Sequence, residues 1–163
     1  KRGHTIDRYL KQIDRIRSSS RDIAITTDII VGFPGETEAD FKDTVELVRY
    51  CGFDSAYIFK YSPRPGTPAF EMEDSVSFAE KTLRFLELEN EQKASQQKRL
   101  ERYNEKVLEV LAEGASARTE NGITGHSTCH KVVNFVGDRS VLGSLVNIKI
   151  TQVKANSMFG EAI

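Results

Sequence analysis

From Ile23 to Val31 the chain is almost continuously apolar or β-branched, and it then stops abruptly at Gly32-Phe33-Pro34-Gly35. Such a run predicts a strand buried on both faces. Asp28 is the one charge inside it, and a buried carboxylate needs partners. It is either a ligand group or a paired structural charge. Thr37 stands where a helix cap belongs, with Asp40 three residues on in capping-box position. A helix from Glu38 to about Tyr50 follows, with Phe41, Val45 and Val48 on its buried side and Leu47 at the edge of the stripe. Gly52 is placed to end it. Ser55 to Tyr61 is apolar and aromatic enough for a second strand in a sheet interior. Helix, strand, helix, strand predicts parallel βαβ connectivity.

The flanks carry their own periods. Thr5 can cap a first helix running to about Arg17, with Ile6, Tyr9, Leu10, Ile13 and Ile16 in one stripe. Ser77, with Glu80 three residues on, opens a long charged helix to about Tyr103. There Leu83, Leu86 and Leu100 are apolar, and Glu89 to Arg99 is nearly all polar. That half is expected to pack on little and to bridge two domains. Near Asn104 the pattern changes to short β-prone runs between glycines: Val107–Leu111, Lys131–Val136 and Val146–Ile150. In the last run Val146, Ile148 and Ile150 alternate onto one face. These runs predict a small antiparallel barrel. The expected organisation is an α/β part over residues 1–103 and an all-β part over 104–163.

Composition narrows the class but not the activity. The chain has 163 residues, 39% hydrophobic and 29% charged, with a formal net charge of -1. This is ordinary for a soluble globular protein, expected to be cytoplasmic, with no membrane partner. Bulk charge gives no argument for nucleic acid, so such a partner must rest on a local patch. The chain opens on Lys1-Arg2-Gly3 rather than Met, as a piece of something longer would. Cys51 and Cys129 are the only cysteines, too far apart in sequence for a dithiol or zinc motif. Cys51 belongs to an apolar helical pattern and is expected to be buried.

Two loops stand out as candidate chemistry. Gly32–Thr37 lacks the Gly-Lys-Ser/Thr ending of a P-loop and the spacing of a dinucleotide fingerprint. Yet it follows a strand, on the edge of the sheet where α/β proteins bind ligands. The next strand also ends in a stiff loop, Ser62-Pro63-Arg64-Pro65-Gly66-Thr67-Pro68. Two rigid loops on one edge suit a preorganised site. Glu36 either faces a ligand or favours the helix N-terminus. Arg64, between two prolines, suits a phosphate or carboxylate, or is a solvated loop arginine. In the tail, His126 and His130 flank Cys129 at a helical spacing within a β-prone segment, which argues against a metal site. His130 and Lys131 beside Asn134 and Phe135 combine donors, charge and a ring, as a nucleic-acid patch would.

Thr27–Thr37 and Tyr61–Ala69 resemble the late barrel motifs of the radical-SAM methylthiotransferases, closest to the branch acting on N6-isopentenyladenosine beside the tRNA anticodon. Arg2-Gly3-His4-Thr5 resembles the segment that opens the preceding helix. Val107–Gly114, Gly125, Lys131–Phe135 and Asn156–Glu161 resemble a TRAM domain, a small β-barrel that holds RNA. The resemblance implies the C-terminal part of a (β/α) radical-SAM barrel followed by TRAM. It implies an intact enzyme that uses S-adenosylmethionine and two [4Fe-4S] clusters to add a methylthio group at C2 of the adenine. The family's cluster cysteines are absent from this chain, which alone is expected to be inactive. By resemblance Ile30, Gly32, Phe33, Tyr61 and Ser62 bind S-adenosylmethionine, and Arg64 lies nearer the substrate. Arg118, His126, Lys131, Asn134 and Phe135 are the candidates for RNA contact. Where His126 stands the family often has arginine, so RNA should be held more weakly as pH rises. The expected partners are a tRNA anticodon stem-loop and the missing N-terminal part. Two strands without neighbours are also expected to self-associate. A ribosomal-protein or threonylcarbamoyl-adenosine methylthiotransferase, or an RNA-binding module without chemistry, are the competing readings.

Overall fold

The computed structural model describes Gly3 and residues 5–116 and 121–163. The elements run α1 (Ile6–Arg17), β1 (Thr26–Val31), α2 (Glu38–Cys51), β2 (Ser55–Lys60), α3 (Phe78–Glu101), β3 (Val107–Ala115), β4 (Gly122–Ser127), β5 (Val132–Val136), β6 (Leu145–Lys154) and β7 (Ser157–Ala162). They form two compact units, Ile25–Gln96 and Lys1–Ala24 with Gln97–Ile163.

In the first unit β1 and β2 pair in parallel, Asp28 opposite Tyr57 and Ile30 opposite Phe59. The helix between them forms because its cap closes both ways. The Asp40 N–H donates to Thr37 Oγ1, and the Thr37 N–H donates to Asp40 Oδ2. Gly52 ends α2 at φ 57°, in the left-handed conformation. Phe41, Val45, Val48 and Cys51 are its buried residues.

Several expectations fail in this unit. The Ile23–Val31 run is a strand only from Thr26, and its burial alternates instead of covering both faces. Among the described residues nothing covers the face that carries Asp28, Ile30, Tyr57 and Phe59. Asp28 is therefore exposed, not a buried carboxylate, and Ile30, Tyr57 and Phe59 are 52%, 65% and 53% exposed. Tyr61 lies just beyond β2. On α3, Leu83 and Leu86 face solvent, while Lys81, Arg84, Leu88 and Gln92 form the buried stripe. Its polar members have partners: Lys81 pairs with Asp74, and Arg84 with Glu36 and Glu80. Gln92 Nε2 donates to the Phe53 carbonyl at 3.1 Å, so part of the polar half of α3 is buried after all.

In the second unit α1 begins at its Thr5 cap, and Ile13 is buried. The five strands close a barrel in the order β3-β4-β5-β7-β6. It is not wholly antiparallel: β5 and β7 run parallel, with Asn134 opposite Phe159. Val110, Ala112, Ile123, Val133, Phe135, Ile148, Ile150 and Met158 fill it, joined by Leu100 and Tyr103. Two glycines allow the walls to meet. A Cβ on Gly125 would strike the Leu111 carbonyl oxygen, and one on Gly160 the Lys149 carbonyl oxygen. Tyr103 Oη donates to Asp22 Oδ2 at 2.5 Å, and Arg102 bonds both groups. Burial, then the Asp22 hydrogen bond, hold the Tyr103 phenol well above its usual range. Among the described residues no helix is long and apolar enough to cross a membrane.

Candidate functional site

The loops after β1 and β2 are built as one rigid edge. The Tyr61 N–H donates to the Val31 carbonyl at 2.9 Å, and Tyr61 Oη donates to the Ala69 carbonyl at 2.9 Å. Phe33 meets the Tyr61 ring edge-on, centroids 5.2 Å apart. Behind the first loop, Arg84 Nη1 donates to Glu36 Oε1 at 2.7 Å and to the Glu36 carbonyl at 3.1 Å. That carboxylate also accepts the Gly32 N–H at 2.9 Å. Glu36 thus neither faces a ligand nor serves the helix end: it ties its own loop to α3. Lys81 is held by Asp74 at 2.6 Å and sits 5.2 Å from the Tyr61 ring centroid. The Gly35 N–H donates to Ser75 Oγ at 3.0 Å.

Gly32 is glycine for two local reasons. Its φ is +71°, and a Cβ there would collide with the Lys81 chain. Its backbone is buried, while Ile30, Phe33 and Ser62 are exposed and Tyr61 is half-buried. The edge offers apolar and aromatic surface next to polar backbone. Arg64 is exposed, and its guanidinium makes no ion pair or hydrogen bond among the described residues; its carbonyl accepts from Thr67 Oγ1 at 2.8 Å. Iron–sulfur clusters do not fit this chain. Cys51 is buried in the α/β unit, Cys129 Sγ donates to the Asp22 carbonyl, and no metal-holding group of three His, Cys, Asp or Glu occurs among the described residues.

The barrel sorts its expected contacts differently. Phe135 is 4% exposed and belongs to the core, so it is not a stacking ring. In β5 side chains alternate, and Asn134 takes the outward position while Val133 and Phe135 point inward. His126 points outward, but its Nδ1 lies 2.6 Å from Glu113 Oε2, and its ring stacks on His130 at 4.4 Å. Lys131 is half-buried beside the turn, where its N–H donates to Ser127 Oγ at 3.2 Å. Arg118 lies outside the described residues.

The ring that does reach the outer face is Phe159. It stands opposite Asn134 in the β5–β7 ladder, and Lys154 Nζ lies 4.4 Å over its centroid. The missed signal was alternation: Met158 is buried, so Phe159 must point out. Asn134 borders two hollows on this face. One of about 640 Å³ includes Thr124, Lys154, Asn156 and Ser157; the other, of about 400 Å³, includes Thr151, Phe159 and Glu161.

Residues 101–163 match the TRAM domain model. Over the whole chain the protein is similar to curated proteins named tRNA-2-methylthio-N(6)-dimethylallyladenosine synthase. The protein of Thermoanaerobacter sp. (strain X514) is 50% identical over 99% of this chain and 34% of its own length. Those of Geobacillus kaustophilus and Alkalilimnicola ehrlichii are each 42% identical, over 99% and 100% of this chain and 30% and 36% of their own lengths. The chain spans about a third of the length of the curated relatives it matches.

Proposed function

We propose, from the premise that this chain is homologous over its whole length to one third of the tRNA methylthiotransferases, that it is the C-terminal part of such an enzyme. The modification would be a methylthio group placed on C2 of N6-dimethylallyladenosine, also called N6-isopentenyladenosine, beside the anticodon. The observation that carries this reading is the whole-chain identity of 42–50% to synthases of that one name.

The two units would divide the work. Ile30, Gly32, Phe33, Tyr61 and Ser62 form one lip for S-adenosylmethionine, which supplies the radical and methyl chemistry of the family when bound. The Phe33–Tyr61 contact and the Glu36–Arg84 brace hold that lip in one shape, so binding costs little ordering. Arg64, on a base stiffened by Pro63 and Pro65, reaches towards substrate phosphate. His126, Lys131 and Asn134 on the barrel contact the anticodon stem-loop. The open face of β1 and β2 is where the remainder of the enzyme would pack. Cluster ligands must come from that remainder.

The test is binding of the whole chain to an anticodon stem-loop RNA across a salt series, with Lys131→Ala alongside. Affinity that falls with salt, and falls again in the variant, supports RNA recognition by this chain. Unchanged affinity in the variant moves the contact away from Lys131. Absence of all binding sinks the RNA reading of the barrel.

A further inference from the structure

The two hollows beside Asn134 differ in chemistry. The larger presents an ammonium, Lys154, with the amide and hydroxyl of Asn156 and Ser157. The smaller presents an aromatic ring, Phe159, with a hydroxyl at Thr151 and a carboxylate at Glu161. Both fall in the range of small-ligand clefts, about 300–1,000 Å³. Neither charge is spent inside the protein. Among the described residues no carboxylate pairs with Lys154, whose ammonium only covers the Phe159 ring. Among the described residues Glu161 makes no ion pair, and its ladder neighbour Lys149 lies 3.2 Å from Glu105 instead.

We propose that this pair of hollows is a subsite for a single unpaired nucleotide whose base carries an exocyclic amino group. The inference rests on the RNA reading above and deepens it. The base stacks on Phe159 and displaces the Lys154 ammonium from the ring. The Glu161 carboxylate and the Asn134 side-chain carbonyl accept from the amino group. The freed Lys154 then meets the adjoining phosphate in the larger hollow, beside Asn156 and Ser157. Adenine, cytosine and guanine each carry such an amino group, and uracil, which has none, presents a carbonyl that Glu161 repels.

Charge supports recognition by stacking over recognition by backbone. Residues 101–163 hold seven Lys and Arg against seven Asp and Glu. A neutral barrel has little hold on a phosphate lattice, whereas a ring accepts any unstacked base.

The experiment titrates the whole chain into labelled A6, C6 and U6 hexanucleotide RNAs and an anticodon stem-loop, across a salt series. Phe159→Ala, Phe159→Leu and Lys154→Ala are measured beside the parent, each checked by its thermal melt. A6 and C6 are expected to bind about ten-fold or more tightly than U6, and both Phe159 variants to lose roughly ten-fold or more. Phe159→Leu keeps apolar bulk, so its loss reports the ring and not a collapsed fold. The log–log salt slope for A6 is expected near about -0.7, the value for one phosphate, falling towards zero in Lys154→Ala. If the stem-loop binds Phe159→Ala as it binds the parent, the subsite is wrong while the RNA reading survives. Equal binding of U6 and A6 overturns the amino-group recognition. If no RNA binds at all, both proposals fall.

Discussion

One oxygen, Oε1 of Glu36, accepts both the Arg84 guanidinium at 2.7 Å and the Gly32 N–H at 2.9 Å. The side chains of the pair are 12% and 7% exposed, so this is a buried ion pair that fixes the loop after β1 to α3. Breaking such a pair from one side leaves a buried charge unpartnered.

Arg84→Met is accordingly expected to lower the stability of the α/β unit by about 3 kcal/mol. Glu36→Gln with Arg84→Met should cost less than the two singles added, since neither charge is then stranded. Urea unfolding of the three variants checks this. Strict additivity would mean the pair does not act as a unit.

The barrel glycines should divide sharply. Gly125→Ala places a methyl against the Leu111 carbonyl, and Gly114→Ala places one in open space. The first is expected to abolish cooperative unfolding of the barrel. The second should stay within about 0.5 kcal/mol of the parent. Equal melts for both would contradict the close approach of β3 and β4.

Hydrogen bonds from the Thr37 hydroxyl, then from its backbone N–H, hold the Asp40 carboxyl below its ordinary 3.8. A folded-state value below the unfolded one stabilises above the unfolded value, and that contribution fades as pH falls through the folded value. The protection of the amides in the first turn of α2, measured against the intrinsic exchange rate at each pH, should therefore be highest near neutral pH and fall in the acid range. Asp40→Asn should exchange faster at neutral pH and lack most of that acid dependence. A wild-type profile in the variant would place the cap elsewhere.

The bare face of β1 and β2 carries Ile30, Tyr57 and Phe59 side by side across the ladder. Exposed apolar surface of this kind drives association. Sedimentation of the chain is expected to depend on concentration, and Tyr57→Lys with Phe59→Lys to return it towards monomer. A parent chain that stays monomeric at every concentration would argue against it.

Local patterns were legible in the sequence wherever the cause is local. The Thr5 and Thr37 caps, the Gly52 stop and the alternation of Val146, Ile148 and Ile150 depend only on neighbours within a turn or along one strand. The parallel pairing of β1 and β2 followed from the helix between them. Tertiary structure alone decided which side of each strand met the core. Asp28 looked buried because its neighbours are apolar, but burial needs a second layer, and the described residues put none on that face. Phe135 looked like a stacking ring because it stands beside Asn134 and near Lys131. Barrel closure turned it inward and put Phe159, opposite Asn134 on a strand running parallel, outside in its place. Residue type sets what a side chain can do, and pairing between distant strands sets which way it faces.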